Sequence, residues 1–134
     1  MAGMIVNQMS FKAGKILTLN GVIPSGAKNF CVNIGINEEN VALHINPRLN
    51  SHGETNKLVL NSKCGGKWQA ELREGGFPFY QGQAFKIIII FTPAGFVVVL
   101  SDGSTIRFPN RLGALKYNFF SFVGDVRIKS FEIV

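Results

Sequence analysis

The sequence predicts an all-β fold, a two-sheet sandwich or a barrel, on three observations. No window of helical length holds an apolar stripe at i, i+3 and i+4. The chain instead alternates short apolar runs with Gly, Asn, Asp and Pro, the residues that turn a backbone. Twelve Phe, with runs of Ile and Val, supply the filling for the space between two sheets.

Eleven strands are expected in order. Ile5 to Met9 and Lys15 to Val22 open the chain, followed by Phe30 to Ile36, Val41 to Arg48, Lys57 to Ser62 and Lys67 to Arg73. The most apolar tract, Phe85 to Leu100, is cut by Thr92-Pro93-Ala94-Gly95. Neither half approaches the ~18 continuous apolar residues needed to cross a bilayer. Two buried strands, Phe85 to Phe91 and Phe96 to Leu100, joined by a turn explain it, and no membrane insertion is expected. Ser101-Asp102-Gly103 is a turn signal leading to Thr105 to Pro109. Tyr117 to Val123 and Val126 to Ile133 complete the set.

A chain of 134 residues without linker, low-complexity tract or long repeat is expected to be one domain. It hides roughly two-thirds of its unfolded surface and needs no staple. Cys31 and Cys64 lie in strand-like surroundings without CxxC spacing, so free thiols in a reducing compartment are expected, with a bridge between them the remaining alternative. The opening MAGMIVNQMSFKAG lacks the basic and apolar regions of a secretory signal, and no Asn-x-Ser/Thr acceptor occurs. Synthesis in the cytosol is the expectation.

Fourteen Lys and Arg against eight Asp and Glu give a net charge of +6, which raises the question of a polyanionic partner. The cations are scattered singly, with no run of five and no RNA-binding signature, so nucleic acid is not expected. Charged residues are only 16% of the chain, against an ordinary share of about 25%. A local cluster of them therefore asks for a reason.

That cluster runs from Leu43 to Arg73. In steps of two, Leu43, Ile45, Pro47 and Leu49 take one side of an extended chain, and His44, Asn46, Arg48 and Asn50 the other. If the three runs are neighbouring strands, Asn61 comes from the second, and Glu71 and Arg73 share a face of the third, with Leu72 turned away. Trp68 does not share their parity, so it must reach the same site from a loop or irregular start of that strand, after Gly65-Gly66.

Such a set suits a neutral ligand rich in hydroxyls. Arg offers forked donors, Asn a donor and an acceptor, His either role, and an ionised Glu accepts. Arg48 and Arg73 beside Glu71 would hold its oxygens in place. An indole gives the C–H face of a pyranose a flat, polarisable surface. An epimer with the wrong hydroxyl orientation would leave buried polar groups unpaired, at roughly 1–3 kcal/mol each.

His44-x-Asn46-Pro47-Arg48, then Asn61, then Trp68-x-x-Glu71-x-Arg73 followed by Phe77-Pro78-Phe79, resemble the β-galactoside-binding signature of the galectins. Phe108-Pro109-Asn110-Arg111 and Gly124-Asp125-Val126 extend the resemblance over essentially the whole chain. It implies a galectin-type jelly-roll β-sandwich of two antiparallel sheets, residues 1–134 forming a single carbohydrate-recognition domain. Carried over by position, His44, Asn46 and Arg48 would grip the axial 4-hydroxyl of galactose, Asn61 and Glu71 its 6-hydroxyl, and Trp68 its apolar face. Arg48, Glu71 and Arg73 would also hold a second sugar, glucose or N-acetylglucosamine. His52 and Glu54, on the adjoining loop, are secondary candidates. Gln69 stands where the family usually has Gly, and its side chain could crowd the galactose end or add a contact.

The resemblance implies galactose-containing glycans of glycoproteins and glycolipids as partners and no cofactor. It also implies a homodimer through terminal strands, where Met4, Val6, Ile128, Phe131 and Ile133 supply apolar groups, a core role for them being the alternative. Family members act inside and outside cells, so a non-classical route to the extracellular space is implied as well. A rival reading keeps the scaffold but leaves the sugar site idle, with a protein or polyanion bound instead. Catalysis is not expected. A glycosidase needs two carboxylates about 5–9.5 Å apart flanking the scissile bond. Glu71 alone is central, and its arginine neighbours favour the ionised form over a general acid, with Glu54 the only nearby second candidate. His44, His52, Cys31 and Cys64 have no zinc spacing.

Overall fold

Alternation of apolar and polar side chains builds this molecule into two layers. The structure, a computed structural model, describes residues 3–134. Eleven antiparallel strands account for its regular elements, and no helix occurs among the described residues. They are β1 (Met4–Lys12), β2 (Ile16–Val22), β3 (Phe30–Asn37), β4 (Asn40–Ser51), β5 (Glu54–Cys64) and β6 (Lys67–Trp68). β7 (Ala84–Thr92), β8 (Gly95–Val99), β9 (Thr105–Pro109), β10 (Lys116–Gly124) and β11 (Arg127–Ile133) follow. One sheet has the order β1-β10-β3-β4-β5-β6 and the other β11-β2-β7-β8-β9. The expected two-sheet sandwich is the one that forms.

The core lies between the sheets. Leu43 and Ile45 of β4 face inward with Leu60 of β5, and the second sheet answers with Leu17, Leu19, Ile87, Ile89 and Val98. Phe91 stacks on Phe96 with ring centroids 4.8 Å apart and meets Phe11 at 5.3 Å and Tyr117 at 5.5 Å. Pro47 can sit inside β4 because it carries its inward-facing position without needing a ladder bond from its nitrogen.

Two irregularities set the outer face of the six-stranded sheet. In β4, Val41 pairs with Lys63 but His44 pairs with Asn61, so Ala42 and Leu43 stand opposite Ser62 alone. The second corrects the sequence expectation. The sixth strand does not run from Lys67 to Arg73; it ends at Trp68, and the chain rejoins β5 only through the bridge from Leu72 to Leu60. Trp68 pairs with Lys63, so Gln69, Ala70 and Glu71 face only Asn61 and Ser62. This is a β-bulge, one extra residue that inverts the alternation beyond it.

Phe91→Ala should remove about 3–5 kcal/mol of stability, because the packed aromatic cluster around it cannot collapse into the vacated volume. Urea unfolding of the variant beside the wild type measures this.

Candidate functional site

The outer face of β4 carries His44, Asn46 and Arg48 in one row, and β3 with the preceding Asn29 holds the first two from the side. His44 Nδ1 lies 2.6 Å from Asn33 Oδ1, while Asn33 Nδ2 donates to Ser121 Oγ at 3.0 Å. An amide oxygen can only accept, so the His44 proton sits on Nδ1 and Nε2 is left as an acceptor. Burial, reinforced by the charges of Arg48 and Lys63, lowers the His44 pKa from 6.5 to about 4. The ring is therefore neutral at physiological pH.

Asn46 spends both amide hydrogens on the protein, donating to Asn29 Oδ1 at 2.6 Å and to the Phe30 carbonyl at 2.8 Å. Its Oδ1 accepts from Arg48 Nε at 2.9 Å. Arg48 Nη1 donates to Glu54 Oε1 at 2.7 Å, and Nη2 lies 3.7 Å from Glu71 Oε2. Glu54 also accepts two bonds from Arg73, and Arg73 Nε donates to Glu71 Oε1 at 3.0 Å. These bonds, first from Arg73 and then from Arg48, hold the Glu54 carboxyl down at about 2. Two carboxylates and two guanidiniums thus alternate along one edge of the groove.

Glu54, only a secondary candidate in the sequence, is the hub of this network. His52 also belongs to the groove wall, and it adopts a φ of 54° in the turn between β4 and β5, its Nδ1 2.9 Å from Ser51 Oγ. The missed supports are Asn29 and Asn33, which lie across from the β4 row on β3 and the residue before it. Nothing in the spacing of a single strand shows which side chains lie beside it in the sheet.

The bulge after Trp68 brings the third strand's groups to the same face. Trp68 is half exposed, and its ring lies 4.5 Å from that of His44, with Lys63 Nζ 5.0 Å from the indole centroid. The opposed parity expected of Trp68 and Glu71 is resolved by the extra residue between them. Asn61 is buried opposite His44, its Nδ2 donating to the Gln69 carbonyl at 3.1 Å and its Oδ1 accepting from the Ser62 N–H at 2.7 Å. One Asn61 amide hydrogen stays available to the groove. The Gln69 side chain folds back to donate to the Lys67 carbonyl at 2.9 Å, at the groove margin.

The result is an open groove of about 530 Å³. It presents an acceptor at His44 Nε2, a donor on Arg48, acceptors on Glu71 and an indole face, while Arg73 lies beyond its lining, bonded to Glu71 and Glu54 and bordering the adjoining depression with Asn56, Lys57 and Phe77. Cys31 also lines it, and burial raises that thiol to about 11, so it carries no thiolate. Both cysteines are free. No cluster of His, Cys, Asp and Glu among the described residues could hold a metal ion.

Residues 3–133 match the model of the galactoside-binding lectins. The β-galactoside-binding lectin of Electrophorus electricus is 47% identical over 133 residues, covering 99% of this chain and 98% of that protein. Galectin-1 of Ovis aries is 40% identical over 127 residues, covering 95% and 94%. Among solved structures, Xenopus laevis galectin-Ib superposes with a TM-score of 0.95 at 38% identity, covering 99% of this chain and 100% of that one. Lactose- and MES-liganded congerin II superposes equally well, TM-score 0.95, at 34% identity and the same coverage. The chain is a jelly-roll lectin by fold, and it belongs to the galectin family of galactoside-binding lectins.

Because His44 takes a proton at about 4 in the folded chain and near 6.5 when unfolded, the unfolded state binds more protons between those values. Stability should therefore fall as pH drops from 6.5 towards 4, and His44→Gln should flatten that part of the profile. Urea midpoints of both proteins across the window test it.

Proposed function

We propose that the groove binds β-galactosides of the lactose and N-acetyllactosamine type, the domain acting as a lectin and not as an enzyme. The observation that carries this reading is the neutral His44 with Nε2 as acceptor, in one row with Asn46 Oδ1 and the Arg48 guanidinium. An axial hydroxyl entering that row meets an acceptor for its proton and a donor for its oxygen. Family membership and the lactose carried by congerin II support it.

In this reading Trp68 stacks on the C–H face of galactose, while the free Asn61 amide hydrogen and Glu71 take its 6-hydroxyl. Arg48, Glu71 and Arg73 reach the second sugar, with Glu54 locking both arginines and His52 and Gln69 flanking the ends. Two arginines on Glu54, and a third contact from Arg73 to Glu71, hold the carboxylate oxygens in place. That arrangement suits hydroxyl binding, and Glu54, held down by its arginines, is not the protonated carboxyl that glycoside hydrolysis requires.

Dimerisation is part of the proposal. β1 and β11 are edge strands at the same end of the two sheets, with unpaired backbone groups available to a second copy. Val6, Ile128, Phe131 and Ile133 pack against the core, whereas Met4 and Ile5 remain exposed on that edge. Pairing there would leave both grooves open and crosslink glycans by avidity. Sedimentation equilibrium should give twice the chain mass, and Ile5→Asp should return the monomer without loss of lactose binding.

Lactose should change the fluorescence of Trp68, the sole Trp, with a dissociation constant in the roughly µM to mM range expected of a shallow groove. Arg48→Ala should weaken binding by roughly 2 kcal/mol or more, since it strips a partner from the carboxylates as well as a donor from the ligand. Added salt separates the rival reading. Polyanion binding by an idle-site scaffold would fall steeply with ionic strength, and lactose binding would barely respond.

A further inference from the structure

β6 and β9 are edge strands at the same end of the sandwich, and one side chain spans the opening between their sheets. Arg111, in the loop leaving β9, donates from Nη1 to the Ala70 carbonyl at 2.8 Å and to Ser62 Oγ at 3.1 Å. The same nitrogen lies 3.5 Å from Asn61 Oδ1. Its guanidinium packs over the Phe108 ring, 4.6 Å from the centroid, which sets the plane of the fork. The loop is tied down in turn. Asn110 Nδ2 donates to the Ala114 carbonyl at 2.8 Å, and Asn110 Oδ1 accepts from the hydroxyl of buried Tyr117.

These bonds fall on the bulge itself. On one side of it the Gln69 N–H donates to the Ser62 carbonyl, and on the other Leu72 and Leu60 exchange two bonds. The Ala70 carbonyl lies between, outside that ladder, and Arg111 holds it. We propose that Arg111 is a positioning residue for the groove. By clamping the Ala70 carbonyl and Ser62, it keeps the extra residue in the arrangement that turns Trp68 and Glu71 to one face, and it steadies Asn61 beside them. The proposal rests on the galactoside reading for its effect on affinity, and on the geometry alone for its effect on Trp68.

A charge-assisted bond to a carbonyl is strong enough that its loss should weaken ligand binding about tenfold or more. Arg111→Ala is therefore compared with wild type and with Arg107→Ala, an exposed arginine of β9, as control. Lactose and methyl β-galactoside should both lose about tenfold, because the clamp acts on the galactose end. In the unliganded variant Trp68 emission should move to longer wavelength as its packing on His44 loosens. Low guanidinium chloride, but not sodium chloride at equal ionic strength, should restore the emission and the affinity. A merely destabilised fold would be harmed by guanidinium, so that outcome contradicts positioning. Should Arg111→Ala fail to fold, Arg111→Lys is read the same way, with an intermediate loss expected. A folded variant with wild-type emission and affinity within twofold overturns the proposal. If wild type itself ignored lactose, the galactoside reading would fall, and the emission shift with its guanidinium rescue would still decide the role of Arg111.

Discussion

A single surplus residue in the chain opposite β5 is the constraint on which the site depends. With Trp68 paired to Lys63 and Leu72 to Leu60, the segment between them holds one residue more than its partner. In a regular strand Trp68 and Leu72 would share a side, and the indole and the Glu71–Arg73 pair would part. The bulge lets Leu72 pack on the core while Trp68 and Glu71 both line the groove, with Arg73 bonded to Glu71 at its end. Bulges twist and re-aim side chains in this way at functional sites in many sheets.

On that frame, the electrostatics are arranged to fix protonation states. Asn33 settles which His44 nitrogen carries the proton, and burial among Arg48 and Lys63 keeps the ring neutral. The Arg48–Glu54–Arg73 contacts do the converse for Glu54, holding its carboxyl well below the usual range, and Arg73 holds the Glu71 oxygens in place. Each of these groups is restrained before a ligand arrives, which reduces the ordering cost of binding. Charge is sparse elsewhere in the sequence and concentrated here because opposed charges at close range need one another as partners.

Much of this was legible in the residues. Alternation exposed the β4 row, since Leu43, Ile45, Pro47 and Leu49 are all buried and His44, Asn46 and Arg48 face outward. The Pro93–Ala94 turn between two apolar runs was likewise plain. The sixth strand was overextended because Lys67 to Arg73 reads as a continuous run, and a bulge has no fixed sequence mark. Its one trace was the clash of parity between Trp68 and Glu71. Glu54 was undervalued because its role comes from two arginines elsewhere in the chain, one on β4 and one in the segment after β6, and Arg111 because its bonds cross between sheets. Contacts of that kind depend on tertiary pairing, which local pattern does not encode.

The central claim is that the row of His44, Asn46 and Arg48 reads the orientation of one hydroxyl on a sugar seated against Trp68. Calorimetric titration with lactose and with cellobiose, disaccharides that differ only at carbon 4 of the non-reducing ring, isolates that hydroxyl. Lactose should bind, and cellobiose should be weaker by roughly 1–3 kcal/mol for each polar group left unpaired. Equal affinity for the two sugars would contradict the account.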